Sequence, residues 1–235
     1  EEKENEGDIN VSKRITNMFS TIGSNDLKSF KKYLESDESN IKKYTKSIEY
    51  SYDVTPTIYT SDTENIRQVN PDTTFASLGM GAGASSNSMM SSMMSTNVFF
   101  KMPKDSKLYE NQYDVKAGKW PTSYNECVLV LTSQGNISDF LLYTLGLRDY
   151  SEIQDLVTQF SSGKEVDTPK DLGTYNYEDI LGTTFKLVNV SACYEYDEEY
   201  KVWRDKTDNK EYMKNVVRNG EDLKIVGIVQ PKEGA

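Results

Sequence analysis

Glu195, Glu198, Glu199, Asp205 and Asp208 bring five carboxylates into one short stretch, a set from which acid–base chemistry is readily drawn. Two of them on either side of a glycosidic bond would supply the general acid and the base or nucleophile of a glycoside hydrolase. All five lie in or beside a predicted hairpin, where a solvated turn is the stronger explanation. The calcium-loop pattern of alternating acids followed by glycine is absent from Asp197–Asp208. Ser29 and Lys32 form a Ser-x-x-Lys pair, the spacing that lets a lysine serve as base to a serine. They sit on a predicted helix with Phe30 facing the core and Lys31 and Lys32 facing solvent, so the pair reads as a chance occurrence. The chain holds no histidine, which excludes a Ser-His-Asp triad, a His-ligated zinc and a histidine proton relay. Cys127 and Cys193 have no metal-binding spacing and are expected to be buried free thiols in strands. Gly79–Gly83 lacks the Gly-Lys-Ser/Thr ending of a phosphate loop, and Gly-x-Ser-x-Gly is missing. No catalytic, cofactor-binding or metal-ligating residue is expected, and no cofactor.

What remains is contact chemistry. Sixteen tyrosines include Tyr50, Tyr52, Tyr59, Tyr175, Tyr177, Tyr194, Tyr196 and Tyr200; the sequence counts them as 16. Strand tyrosines either pack a sheet or, where exposed, offer large rings that lose little entropy on binding. Trp120 before Pro121 reads as a seal of a chain corner against the core, with an interface anchor as the alternative. Gly79–Thr96 (GMGAGASSNSMMSSMMST) is low in complexity: a mobile loop or short helix, against a Met-rich contact surface or a thioether copper site. Lys+Arg total 27 against 37 Asp+Glu, a formal charge of −10 that argues against nucleic acid and leaves a cationic partner open.

Several elements must position these groups. Val11–Ile22 has helical spacing, and a second helix capped by Ser24 or Asn25 has Leu27, Phe30 and Leu34 on its apolar face. Ser47–Thr60 alternates as a strand, with Pro56 at an edge or bulge, and Ser61–Asp72 has a helical hint at Ile66 and Val69. Val98–Met102 reads as a short strand. A Gly118–Pro121 corner and a polar turn, Thr122–Glu126, lead into Cys127–Leu131, an apolar run suited to a core strand. Ile137, Leu141, Leu142 and Leu145 then recur at helical spacing until Gly146. A helix capped by Ser151 runs to Phe160, and Tyr175–Leu181 suits one helical turn. Thr184–Tyr196 reads as a long strand pairing with Tyr200–Arg204 across Asp197–Glu199. Lys210–Arg218 fits helix or strand equally, and Asn219-Gly220 turns into a last strand, Leu223–Val229.

Tyr113–Arg148, with its Gly-Lys-Trp-Pro corner, Val-Leu-Val strand and leucine-rich helix ending in Gly146, resembles the extracellular domain of MacB-like (FtsX-like) ABC-transporter permeases of Gram-positive bacteria. Leu181–Leu187 (LGTTFKL) and Lys224–Pro231 (KIVGIVQP) follow in the family's order, the latter like its closing strand. The resemblance implies an α+β fold with a mixed porter-like portion over 1–112 and a β-rich sabre-like portion over 113–235. It implies a non-catalytic domain on the extracellular face of the plasma membrane that contacts substrate or an accessory protein and transmits conformational change. Its partners would be the transmembrane helices of the same permease, a separate cytoplasmic ATPase, a membrane-fusion-like accessory protein, and an exported peptide, lipoprotein or drug; nucleic acid is not among them. With no apolar run near about 20 residues, the sequence reads as an excerpt with its transmembrane helices outside it. A surface-anchored binding or adhesion module is the alternative, and an extracellular carboxylate hydrolase a distant third.

Overall fold

The longest strand, β8 (Glu221–Pro231), is the axis of the structure, a computed structural model that describes residues 25–52, 54–75 and 96–234. Leu223, Ile225, Ile228 and Val229 are all buried, which gives β8 a core-facing side chain along most of its length. Burying one such side chain contributes about 1.5–3 kcal/mol. Around β8 gather β1 (Thr57–Thr60), β2 (Gln68–Asn70), β3 (Tyr113–Gly118), β4 (Glu126–Val130) and β5 (Thr184–Val188). They form a six-stranded sheet in the order β2-β1-β5-β8-β3, with β4 also on β8. The fold is α+β, as expected.

Hydrogen bonds show how one strand serves three neighbours. Glu221–Lys224 pairs antiparallel with β5, and Gly227–Pro231 pairs antiparallel with β3. The parallel ladder from β4 runs along the other edge and skips Val226, its partner passing from Ile225 to Gly227 between Cys127 and Val128. Ile225 N–H donates to Thr183 O (2.9 Å) and Lys119 N–H donates to Val226 O (2.9 Å), so two successive residues serve the same edge. That bulge lets β8 pass from β5 to β3 on one side while holding β4 on the other. β4 is therefore an outer strand; Glu126, Cys127 and Val128 are half-buried, Leu129 is buried and Val130 exposed. The expected fully buried run is corrected to a strand with one solvent-facing edge.

The two faces of the sheet bury different clusters. Ile58, Val69, Leu129, Phe185, Ile225 and Ile228 form one, packed by Leu141 and Leu145 of α2 (Asp139–Leu145). Tyr59, Val188, Cys193, Met213 and Val217 form the other, the last two from α5 (Lys210–Arg218). The ambiguous 210–218 segment is thus a helix, capped by Asn209, whose side chain accepts from Tyr212 N–H (3.1 Å). α2 ends at Gly146 (φ 76°), where Leu147 N–H donates to Leu142 O (2.9 Å) and Gly146 N–H to Tyr143 O (3.2 Å). These are the two bonds of a Schellman terminus. α3 (Tyr150–Ser161) is capped by Asp149 rather than Ser151, and α4 (Tyr177–Ile180) carries a capping box between Asn176 and Asp179. Phe160 is left exposed at the end of α3.

Other expectations are corrected. The strand expected over Ser47–Thr60 begins only at Thr57, directly after Pro56, which has no N–H to give a ladder. The helical hint at Ile66 and Val69 gives way to β2, whose Val69 is 2% exposed. Val98–Met102 has no strand pairing; Phe99 instead meets Phe185 edge to face, centroids 5.3 Å apart. The long strand from Thr184 stops at Val188, where its ladders to β1 (Thr57↔Val188) and β8 (Glu221↔Leu187) both end. A short helical turn, Val190–Cys193, follows, capped by Asn189, which accepts from Ser191 N–H (3.1 Å). Cys193 therefore lies in a turn, not a strand; it and Cys127 are free thiols.

Glu1–Tyr50 and Ser51–Ala235 form two compact units. The expected division falls at 112/113; β1 and β2, before that position, join the same sheet as β3, β4, β5 and β8, after it. In the first unit, α1 (Leu27–Glu35) is capped by Asp26, which accepts from Ser29 N–H (2.9 Å). Its expected core face is not buried: Leu27 and Phe30 are 67% and 55% exposed. The spacing is amphipathic, but no α1 residue is buried. The expected helix over Val11–Ile22 lies outside the described residues, as does the Met-rich tract except Thr96, which is buried. Among the described residues no helix is long and apolar enough to cross a membrane.

Candidate interaction site

Beyond the turn at Val190–Cys193 the chain leaves the sheet as a separate two-stranded ribbon, β6 (Tyr194–Asp197) and β7 (Val202–Asp205). Asp197 sets the turn, its carboxylate accepting from Glu199 N–H and Tyr200 N–H (both 3.0 Å). Those backbone bonds hold the Asp197 carboxyl below its ordinary range. Lys201 takes the left-handed conformation (φ 54°) that closes the connection. The ribbon's root is tied by Lys206 N–H to Cys193 O (2.9 Å) and by the Tyr212 hydroxyl, which donates to Ala192 O (3.2 Å).

Register decides what the hairpin carboxylates can do. Tyr194 pairs with Asp205, Glu195 with Arg204, Tyr196 with Trp203 and Asp197 with Val202. Cross-strand partners share a face and successive residues alternate. Tyr194, Tyr196, Trp203 and Asp205 therefore lie on one face, and Glu195, Asp197, Val202 and Arg204 on the other. Glu195 and Asp205 point to opposite sides and do not flank a common bond. Each is also engaged: Glu195 pairs with Lys206 (2.6 Å), and Asp205 accepts from Thr207 N–H (2.8 Å) and its hydroxyl (2.7 Å). Glu198 and Glu199 are exposed in the turn, and Asp208 is exposed beyond β7. The carboxylates are those of a solvated hairpin. Among the described residues no three His, Cys, Asp or Glu side chains converge to hold a metal ion.

The hairpin does concentrate exposed rings. Tyr200 and Trp203 are 64% and 67% exposed, and Tyr194, Tyr196 and Val202 are exposed as well. Tyr196 and Trp203 pack together with centroids 5.2 Å apart and planes at 54°. The sequence pointed to Tyr194, Tyr196 and Tyr200 but not to Trp203, the most exposed ring of the set. Its signal was available: a tryptophan four residues after the acidic turn, in register with Tyr196. The other expected tyrosines scatter. Tyr59 is buried, and burial pushes its hydroxyl up to about 12; Tyr175 and Tyr50 are half-buried; Tyr52 and Tyr177 are exposed away from the ribbon.

Two other places gather polar side chains. An open cleft of about 1130 Å³ runs along the connection after β1, the end of α2 and the start of α5. Three of its four cations are engaged: Arg67 donates to Tyr143 O (2.5 Å) and lies 4.3 Å from the Tyr150 ring centroid, Arg148 pairs with Glu152 (2.5 Å) and Lys214 pairs with Glu64 (3.0 Å), while Lys210 is exposed. Behind Arg67, Asp72 is 2% exposed and accepts from the Thr74 hydroxyl (2.5 Å), which in turn accepts from the Tyr150 hydroxyl (2.9 Å). This network ties the chain after β2 to the start of α3. Ser29 and Lys32 are both exposed on α1, and the Ser29 amide serves the Asp26 cap.

The corner at Gly118–Pro121 is built on Glu126. Its carboxylate accepts from Thr122 N–H (2.7 Å) and Ser123 N–H (3.2 Å) and pairs with Lys119 (3.1 Å). The Thr122 amide, then Lys119, hold the Glu126 carboxyl down at about 2. Trp120 stacks on Tyr109 (centroids 4.8 Å, planes at 50°) and is half-buried. It closes the corner against Tyr109, not against the core strand as expected.

Comparison with protein-family models, curated proteins and solved structures finds no match to this chain.

Proposed function

We propose that this chain is a non-catalytic interaction domain, the extracellular domain of a MacB-like ABC-transporter permease, which contacts substrate or an accessory protein and transmits conformational change. The observation that carries the reading is the β6–β7 ribbon: it leaves the main sheet and exposes Tyr194, Tyr196, Tyr200 and Trp203 together. Exposed aromatic rings gathered on one hairpin are of the residue type that dominates binding energy at interfaces. The permease assignment draws further support from the three segments that carry the resemblance. Val128–Val130 and Thr184–Leu187 both pair with β8, the strand that holds Lys224–Pro231. On this reading the domain sits outside the plasma membrane, joined to transmembrane helices of the same permease. A separate cytoplasmic ATPase hydrolyses nucleotide, and a membrane-fusion-like accessory protein or the exported peptide, lipoprotein or drug meets the outer domain.

The same ribbon also suits a surface-anchored binding or adhesion module that has no ATPase partner. Reconstitution separates the two. In the full permease with its ATPase, replacing Tyr194–Asp205 by a two-residue turn should abolish substrate-stimulated transport while nucleotide binding persists. Full transport after that replacement would reject the coupling role. Release of sugars or peptides from polymeric substrates by the purified chain would instead revive the hydrolase.

A further inference from the structure

We propose that the Tyr194–Tyr196–Trp203 face of the hairpin docks a cationic segment of a partner protein, its lysine or arginine side chains seated on the rings. This deepens the reading above, resting on the view that the chain works through contacts, and names the class of partner. Three observations carry it. The first is the distribution of charge. Arg204 and Lys206 are spent on Asp197 (2.5 Å) and Glu195 (2.6 Å), carboxylates of the opposite face. The aromatic face carries Asp205 and no base, while in the adjoining turn Glu198 and Glu199 stand exposed with a single base, Lys201, which leaves the turn net acidic. No ion pair among the described residues reaches either glutamate. With a formal charge of −10 on the whole chain, the field at this face favours a cation.

The second is ring geometry. Tyr196 and Trp203 are tilted by 54°, so they do not make the flat platform on which a glycan chain would lie. Two tilted rings instead present separate negative π-faces, the arrangement that a guanidinium or ammonium meets well. The third is that the fold already uses tyrosine rings in this way. Arg204 lies 5.4 Å from the Tyr200 centroid, and Arg67 lies 4.3 Å from that of Tyr150. Trp203, at 67% exposed, has its ring largely in solvent and is the strongest cation–π acceptor of the set.

Calorimetric titration of the whole chain with a deca-arginine peptide, at low and high salt, tests this. The peptide should bind, more weakly at high salt, and Trp203→Ala should weaken binding about tenfold or more, as removal of a central aromatic anchor does. Glu198→Gln with Glu199→Gln touches no packed side chain and should weaken binding severalfold with the melting temperature unchanged. Equal affinity for wild type and Trp203→Ala, with Trp203→Ala still folded by circular dichroism, would reduce the effect to general acidity and overturn the proposal. If Trp203→Ala unfolds, an unchanged affinity in the double glutamine variant overturns it alone. Binding of cellohexaose or chitohexaose in place of the peptide would make the face a glycan platform and overturn it as well. None of these failures touches the transport assay, on which the permease reading stands or falls separately.

Discussion

Gly118 and Gly227 face each other across the β3–β8 ladder at a separation that admits no side chain on either. A Cβ on Gly118 would lie 2.1 Å from Val226 O, and one on Gly227 would lie 2.2 Å from Lys119 O. Both obstacles are backbone atoms in hydrogen-bonded strands, so neither can swing aside. The two glycines let β3 approach β8 directly beside the bulge at Val226, where β8 changes partner from β5 to β3.

Gly227→Ala should therefore destabilise the chain by about 3 kcal/mol, the upper end of the usual overpacking range. In a chain of this size that corresponds to a fall of about 6–12 °C in melting temperature. Gly118→Ala should cost more, because the residue also holds φ +70°, which alanine adopts with strain. Urea unfolding of the two variants checks both the size and the order. A loss below 1 kcal/mol for Gly227→Ala would mean that the strands are further apart than described.

Trp120→Ala should be milder than a core substitution. A fully buried tryptophan would cost about 3–5 kcal/mol when truncated. Trp120 is half-buried and its described ring contact is with Tyr109, so the expected loss is about 1–2 kcal/mol. Tyr109→Ala should cost a similar amount, and the double variant less than the sum, since the two rings share one contact. A strictly additive double-mutant cycle would show that they do not.

Glu126 makes the corner acid-sensitive. Its folded carboxyl titrates at about 2 against an ordinary 4.5, so the folded state holds the charged form more strongly than the unfolded chain does. Its contribution is present in full above the unfolded value and falls away as pH drops from about 4.5 through about 2. Glu126→Gln should thus be less stable than wild type at neutral pH and lose less on acidification across that window. Parallel acid-side losses in the two proteins, measured by urea unfolding at stepped pH, would contradict the assignment.

Much of the local structure was legible in the sequence because its causes are local. Gly146 ends α2 because left-handed backbone suits glycine, and Leu142 at the expected spacing is buried. Asp197 with the residues after it set a turn, and the flanking pattern placed β7 and the turn end of β6 within a residue or two, though not the start of β6. Asn219-Gly220 led into β8. Each depends on side chains bonding or clashing with backbone a few positions away.

Pairing, edge and exposure depended on residues far apart in the chain. Cys127–Leu131 has the composition of a buried strand, yet Leu129 and Leu131 are buried while Val130, on the opposite face of β4, is exposed. Thr184–Tyr196 alternates throughout, yet the sheet holds it only to Val188, where β1 and β8 run out of ladder; the remainder is free to become the ribbon. Trp120 reads as a core seal from its corner, but a ring's burial is set by what the fold brings to it, here Tyr109. Periodicity records how a segment distributes its own apolar groups. Which strand lies alongside, and which carboxylates end on opposite faces as Glu195 and Asp205 do, is decided by long-range registers that only the assembled sheet and ribbon contain.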